Sequence, residues 1–205
     1  RSQWGGEVKL FSSVEDMLSS GIFPDIVSIC TKPEVLQKNL QDFIKQPPKI
    51  FFLEKPTVST RAQSDQILKI VGNIPVAVNY HRCWDPNHKA FFDKLIGKEI
   101  FTVRVLYSKG LLNYASHIIA LLIQNFGDVD TVLKVYDEKV DNDLSDPSYS
   151  FILNFKKGFK AVFQGFDNIN YDLLELDFIT GSGIYSLKSG GCRQRYEQPI
   201  ENYFY

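Results

Sequence analysis

Short apolar runs alternate with amphipathic segments through the first eighty residues. The runs at 25–30, 49–53 and 75–80 are too short for helices and are bounded by turn residues, so they are predicted strands. Between the first two, segment 33–44 places Val35, Leu36, Leu40, Phe43 and Ile44 at helical spacing and opens on Pro33, a residue suited to a first helical turn. Segment 62–71 is a second predicted helix. Ser12 and Ser13, followed by Glu15 and Asp16, mark a shorter helix through Met17 and Leu18, with serine as cap and acids in the first turn. Strands joined through helices in this way make a parallel sheet.

The pattern changes after residue 84. Segment 87–96 is an amphipathic helix ended by Gly97, 100–107 alternates like a half-buried strand, and 113–126 is a helix ended by Gly127. Strands alone follow, at 132–136, 149–155, 160–166, 173–180 and 184–187. The turns Lys157-Gly158, Asp167-Asn168 and Gly181-Ser182-Gly183 are short, which makes these strands antiparallel neighbours. The expected fold class is therefore α/β followed by α+β: part of a parallel sheet in residues 1–84, then a domain with a large open, mostly antiparallel sheet in 85–205. Trp4-Gly5-Gly6 reads as a simple turn, 137–147 as a solvated loop, and the aromatic run within 201–205 as the start of another packed element. Phe151, Phe155, Phe159, Phe163, Phe166 and Phe178 exceed what one small core needs, so they are expected on the outer face of the open sheet as a subunit interface.

Composition narrows the function classes. At 205 residues, 44% hydrophobic and 23% charged, the chain has room for one large domain or two small ones with real cores. The net charge of −1, with no basic run interleaved with aromatics, lacks the electrostatic footprint of a nucleic-acid binder. The apolar stretch 118–123 is too short to span a bilayer and no charged-then-apolar leader opens the chain, so a cytoplasmic location without membrane contact is expected. Cys30, Cys83 and Cys192 are odd in number and lack Cys-x-x-Cys spacing, so no disulfide framework or zinc site is expected. No histidine and carboxylate cluster has metal-ligand spacing either. Cys30, inside an apolar strand, is expected as a buried structural thiol, and His88, on a polar helix start, as exposed.

The tripeptide Glu54-Lys55-Pro56 ends the apolar run Ile50-Phe51-Phe52-Leu53, which Pro48 and Pro56-Thr57 bound as a central parallel strand. Ligands of open α/β sheets bind just outside the carboxyl ends of such strands, where Lys55 stands. The competing reading is a lysine that merely snorkels at a strand end. Sixty-two residues later His117 lies among Ile118, Ile119, Leu121 and Leu122, with Asn113 four residues before it on one helical face.

In order and spacing, Asp25-Ile26-Val27-Ser28-Ile29-Cys30-Thr31, Phe52-Leu53-Glu54-Lys55-Pro56, Asn79-Tyr80-His81-Arg82 and segment 110–117 resemble the glucose-fructose oxidoreductase and inositol dehydrogenase family, Gfo/Idh/MocA. Glu-Lys-Pro alone is weak; joined to its strand and to a histidine-bearing helix in the next domain it is fairly specific. The resemblance covers most of the chain. It implies that 1–84 is the C-terminal part of an NAD- or NADP-binding Rossmann domain, and 85–205 a substrate-binding and oligomerisation domain. It also implies a sugar, inositol or sugar-nucleotide substrate oxidised or reduced at a carbinol carbon, and a homo-oligomer formed through the C-terminal sheet.

Residue by residue, the resemblance makes Lys55 the cation beside the reacting hydroxyl and His117 the general acid/base, a task for which an imidazole suits. A satisfied core histidine is the plainer alternative for His117. Asn113 occupies a position where the family commonly has aspartate; it still hydrogen-bonds a hydroxyl but carries no charge to stabilise an imidazolium. Thr31, Lys32 and Pro33, with Glu54, Lys55 and Pro56, are the expected cofactor contacts. Tyr80, His81, Arg82 and Trp84 are expected to line the substrate pocket, with Arg82 or His81 facing an anionic group, or else Tyr80 and Trp84 close the domain interface as core aromatics. Two departures stand out. The Gly-x-Gly-x-x-Gly turn and its flanking strands are absent, so the chain is expected to open after the second strand of the nucleotide fold. Thr31-Lys32-Pro33 and then Leu36 stand where relatives carry Thr-Pro-Asn and a histidine. A non-catalytic relative that binds a ligand or serves as an oligomeric scaffold is the alternative.

Overall fold

Three parallel strands organise the first unit, Arg1–Asn79, in the computed structural model, which describes residues 8–135 and 145–198. After a short helix, Val14–Ser19 (α1), come Ile26–Ile29 (β1), Pro33–Ile44 (α2), Ile50–Leu53 (β2), Arg61–Val71 (α3) and Val76–Val78 (β3). The sheet order is β1-β2-β3 with both pairings parallel, so β2 is the central strand. Local signals set the helix starts. Ser13 Oγ accepts from Asp16 N at 3.0 Å, and Thr60 and Gln63 exchange hydrogen bonds as a capping box. Val27, Ile29, Phe51 and Leu53 point into a core completed by Leu36, Leu40, Phe43, Ile67 and Val71. Each such side chain contributes about 1.5–3 kcal/mol by burial.

Cys30 departs from expectation. Strand β1 ends at Ile29, and the buried parity is that of Val27 and Ile29, so Cys30 lies one residue beyond the strand and is exposed.

The second unit, Tyr80–Tyr205, sets two helices, Pro86–Asp93 (α4) and Ser116–Phe126 (α5), in one core with a seven-stranded sheet. Its strands are Ile100–Ser108 (β4), Val129–Lys134 (β5), Phe151–Phe155 (β6), Lys160–Phe166 (β7), Leu174–Thr180 (β8), Gly183–Lys188 (β9) and Arg193–Glu197 (β10), in the order β10-β9-β8-β4-β7-β6-β5. All neighbours are antiparallel except β4 and β7, which pair in parallel from Thr102↔Lys160 to Ser108↔Phe166. The predicted helix over 87–96 stops at Asp93, where tight turns take over and leave Ile96 exposed.

The phenylalanines expected on the outer face lie instead in the core. Phe151, Phe155, Phe159, Phe163 and Phe178 are buried with Val103, Val105 and Tyr107, and with Phe91, Phe92 and Leu122 from the helices. Strand parity explains this, since Phe151, Leu153 and Phe155 share the helix-facing side. Only Phe166 is half-buried. The opposite face of β4, β8 and β9 carries ions: Asp177 accepts from Arg104 Nε at 3.0 Å and Ser186 Oγ at 2.6 Å, and pairs with Lys188 at 2.8 Å. Burial alone raises the Asp177 pKa, but these donors outweigh it and hold the carboxyl below its ordinary range.

His88 is buried, contrary to expectation, with 4% of its surface exposed. The turn at Ser189–Gly191 covers it; Gly191 has φ +97°, and a Cβ there would overlap His88 Nε2. Burial lowers the His88 pKa below the ordinary 6.5, although Asp85 Oδ2, 3.3 Å from Nδ1, opposes the shift. The unfolded chain therefore binds this proton more readily, and stability falls as pH drops below about 6.5. One such proton contributes a slope of up to about 1.4 kcal/mol per pH unit. Urea midpoints at several pH values are expected to show a shallower acid slope for His88→Leu than for the wild type; equal slopes would rule out this assignment.

Among the described residues, no helix is long and apolar enough to cross a membrane, and no group of three His, Cys, Asp or Glu is placed to hold a metal ion. The turn at Trp4-Gly5-Gly6, Tyr136 of the predicted strand, most of the predicted loop and the run within 201–205 lie outside the described residues.

Candidate functional site

Parallel pairing of β1 and β2, with Ile29 opposite Leu53, puts two of the predicted segments at one edge of the first unit. Thr31, Lys32 and Pro33 follow β1, and Glu54, Lys55 and Pro56 follow β2. Glu54 N donates to Ile29 O at 3.1 Å and Asn79 N to Leu53 O at 2.8 Å, so the carboxyl ends of all three strands are tied together. The Glu54 carboxylate accepts from Asn79 Nδ2 at 2.5 Å and from Lys55 N at 3.3 Å. It therefore braces the backbone on which half-buried Lys55 stands, and the Lys55–Pro56 peptide is cis. Thr31 Oγ1 accepts from Asn39 Nδ2 at 3.2 Å. Leu36 is committed to the core with 2% exposure.

In the second unit the helix that carries His117 has an unusual start. The chain leaves β4 through Lys109 and Gly110, both at positive φ, and enters a π turn, Leu111–Ala115, that runs into α5. Asp146 caps this turn: its two carboxylate oxygens accept from Leu112 N and Asn113 N, each at 2.8 Å. Gly110 N donates to Ser148 Oγ at 2.9 Å, and a Cβ on Gly110 would overlap Asp146. A carboxylate at these N–H groups satisfies both the unpaired donors and the positive end of the helix. Asn113 is exposed beside a cavity of about 450 Å³ lined also by Lys109, Asp146 and Asp167.

One turn on, His117 is buried, with 5% exposure, and its ring lies against two consecutive aromatic rings. The Tyr80 ring meets it edge-on at 5.6 Å and 88°, and the His81 ring at 4.7 Å and 62°. Burial raises the Tyr80 pKa, against a hydrogen bond with the Ser116 side chain. Ser116 Oγ itself donates to Leu112 O at 2.6 Å. His81 is exposed and presents this cluster to water.

Tyr80, His81 and His117 are thus brought together, whereas Arg82 and Trp84 are turned to other tasks. Arg82 Nη1 donates to the Gly190 carbonyl, its buried Nε has no hydrogen-bond partner among the described residues, and burial lowers its pKa. Trp84 is 65% exposed. Sequence reasoning missed Asp146 and Ser116. Asp146 lies in a stretch with loop composition, and nothing in its spacing points to a helix start more than thirty residues earlier.

No family model and no curated protein sequence matches the chain. Solved structures do match its fold. An oxidoreductase from Agrobacterium radiobacter, in complex with NAD+, L-tartaric acid and magnesium, aligns with a TM-score of 0.68 at 15% identity, covering 85% of this chain and 58% of that one. The WlbA dehydrogenase from Bordetella pertussis, in complex with NADH and UDP-GlcNAcA, aligns at 0.75 and 16% identity, covering 94% and 68%. A levoglucosan dehydrogenase, in complex with NADH and levoglucosan, aligns at 0.66 and 14%, covering 80% and 54%. The chain thus spans little more than half the length of two of these proteins. A three-stranded parallel sheet with a separate, mostly antiparallel seven-stranded sheet is the architecture this chain shares with solved nicotinamide-dependent dehydrogenases.

Proposed function

We propose that this chain is part of an NAD- or NADP-dependent dehydrogenase of the Gfo/Idh/MocA type, acting on a carbinol group of a sugar, inositol or sugar nucleotide. The observation that carries the reading is His117: a buried imidazole on the helix that follows the Asp146-capped turn, packed against two rings, one of which is exposed. The solved relatives of this fold that bind UDP-GlcNAcA and levoglucosan supply the substrate class.

The residues present fit a nicotinamide nucleotide at the strand edge of the first unit. Helix α2 starts at Pro33 with no side chain capping its first turn, beside exposed Thr31 and Lys32, which suits a phosphate group. Thr31, Lys32 and Pro33 with Glu54, Lys55 and Pro56 would hold the cofactor, and Glu54 acts by bracing the strand ends. A bound nicotinamide would supply the hydride acceptor or donor for the substrate's carbinol carbon. His117 takes the hydroxyl proton during oxidation and returns it during reduction. By the family resemblance, Lys55 would lower the cost of developing alkoxide charge and Asn113 would orient a substrate hydroxyl by hydrogen bonding.

Titration of the complete gene product with NADH and NADPH, followed by nucleotide fluorescence, tests this reading. Saturable binding of one or both is expected; absence of binding to either would remove the dehydrogenase assignment.

A further inference from the structure

The cavity of about 450 Å³ beside the start of α5 has a volume ordinary for a small-molecule site, and the charges that line it do not balance. Asp146 and Asp167 both line it, and among the described residues neither forms an ion pair. Their partners there are backbone N–H groups: Leu112 and Asn113 donate to Asp146, and Ser148 N donates to Asp167 Oδ1 at 2.8 Å. Lys109 is the one lysine of the described lining, and it is already paired with Asp172.

Ser148 ties the two carboxylates to one region. Its N–H reaches Asp167, and its Oγ accepts from Gly110 N, against which Asp146 packs. Burial raises the pKa of the Tyr107 phenol, and the charges of Asp146 and Asp167 add to the rise, as expected of two carboxylates near one point. Half-buried Phe166 gives the same cavity an apolar side. Acceptors on one side and an aromatic ring on another suit a ligand with hydroxyls on its edge and C–H groups on its faces.

We propose that this cavity receives a sugar ring beside Asn113, and that Asp146 and Asp167 select the ring by charge, admitting neutral and amino sugars and rejecting those that carry a carboxylate. A hydroxyl or ammonium group donates to a carboxylate, whereas a carboxylate on the ring has no proton to donate and is repelled. The choice of a sugar rests on the dehydrogenase reading above; the sign of the charge in the cavity does not.

Glucosamine, glucose and glucuronate, titrated near neutral pH into the nitrogen-labelled 205-residue chain without nucleotide, test the proposal. The amide NMR signals of Leu112, Asn113 and Ser148 are the readout, because these N–H groups donate to the two carboxylates. Affinity is expected to fall in the order glucosamine, glucose, glucuronate. Glucuronate is expected to bind about tenfold more weakly than glucose, the effect of a like charge a few ångströms away in a partly wet site. High salt is expected to shrink that preference.

Asp167→Asn keeps an oxygen for Ser148 N and removes one charge, so it is expected to bring glucuronate to within about threefold of glucose. Asp93→Asn removes a charge from the lining of a different cavity and is expected to leave the preference intact, which separates the local field from net charge. Phe166→Ala is expected to weaken all three sugars alike. Absence of localised shifts with any of the sugars would overturn the proposal. So would equal affinities for glucose and glucuronate in the wild type, a preference that ignores salt, or an unchanged preference in Asp167→Asn. Failure here leaves the nucleotide titration untouched, and failure of nucleotide binding leaves these titrations readable.

Discussion

His117→Gln is expected to lower kcat of the complete gene product by about 10²- to 10⁴-fold, the usual range for losing a positioned acid/base, with NADH affinity unchanged. Glutamine is of similar size to the imidazole that packs against Tyr80 and His81 and makes hydrogen bonds, but it does not titrate. The helix is anchored elsewhere, through Asp146 on Leu112 N and Asn113 N, so the substitution leaves the start of α5 in place. Steady-state kinetics with an oxidisable sugar or sugar nucleotide, combined with nucleotide titration, make the measurement. A fall of less than threefold would return His117 to the role of a core histidine. A parallel loss of NADH binding would point to a damaged fold.

Phe178→Ala is expected to destabilise the second unit by about 3–5 kcal/mol. Phe178 has no exposed surface and meets Phe91 at 5.7 Å, Phe92 at 5.5 Å and Phe126 at 6.0 Å, so truncation leaves a cavity where strand β8 meets both helices. Those partners belong to helices held by their own caps and turns, which limits collapse into the space. Urea denaturation of the variant and of Phe166→Ala makes the comparison. Phe166 is half-buried at the end of β7, and a cost of under about 1.5 kcal/mol is expected there. Equal costs at the two positions would mean that the aromatic residues do not divide between core and periphery as their strand parity indicates.

Where local signals and burial agreed, the sequence was readable. Helix α2 spans the predicted 33–44 because Pro33 marks its first turn and its apolar residues keep helical spacing. Strand β7 likewise spans the predicted 160–166. Lys55 at the end of a central parallel strand followed from an apolar run bounded by prolines. What failed depended on partners far along the chain. His88 sits in a polar stretch and is buried only because the turn at Ser189–Gly191 closes over it. Strand β10 reads Arg-Gln-Arg-Tyr-Glu and has no apolar alternation, since it is an edge strand whose residues are all exposed. The contact of His81 with His117 joins two segments whose spacing carries no periodic signal, and Asp146 reaches its helix from a loop.

The parallel pairing at the middle of the large sheet bears on the order in which the second unit is assembled. Strand β4 is flanked by β7 and β8, both of which lie much later in the chain, whereas β5–β6, β6–β7, β8–β9 and β9–β10 are all sequence neighbours. Hairpins close in microseconds, but β4 gains its two partners only when the chain has reached residue 180 and a long intervening loop has been closed. On a ribosome, Val103, Val105 and Tyr107 therefore emerge as an apolar strand without a sheet to join. The helix bearing His117 then sits beside an unfinished core until the two C-terminal ribbons flank β4. The core against which α4 and α5 pack is therefore completed late, after β4 has met both β7 and β8.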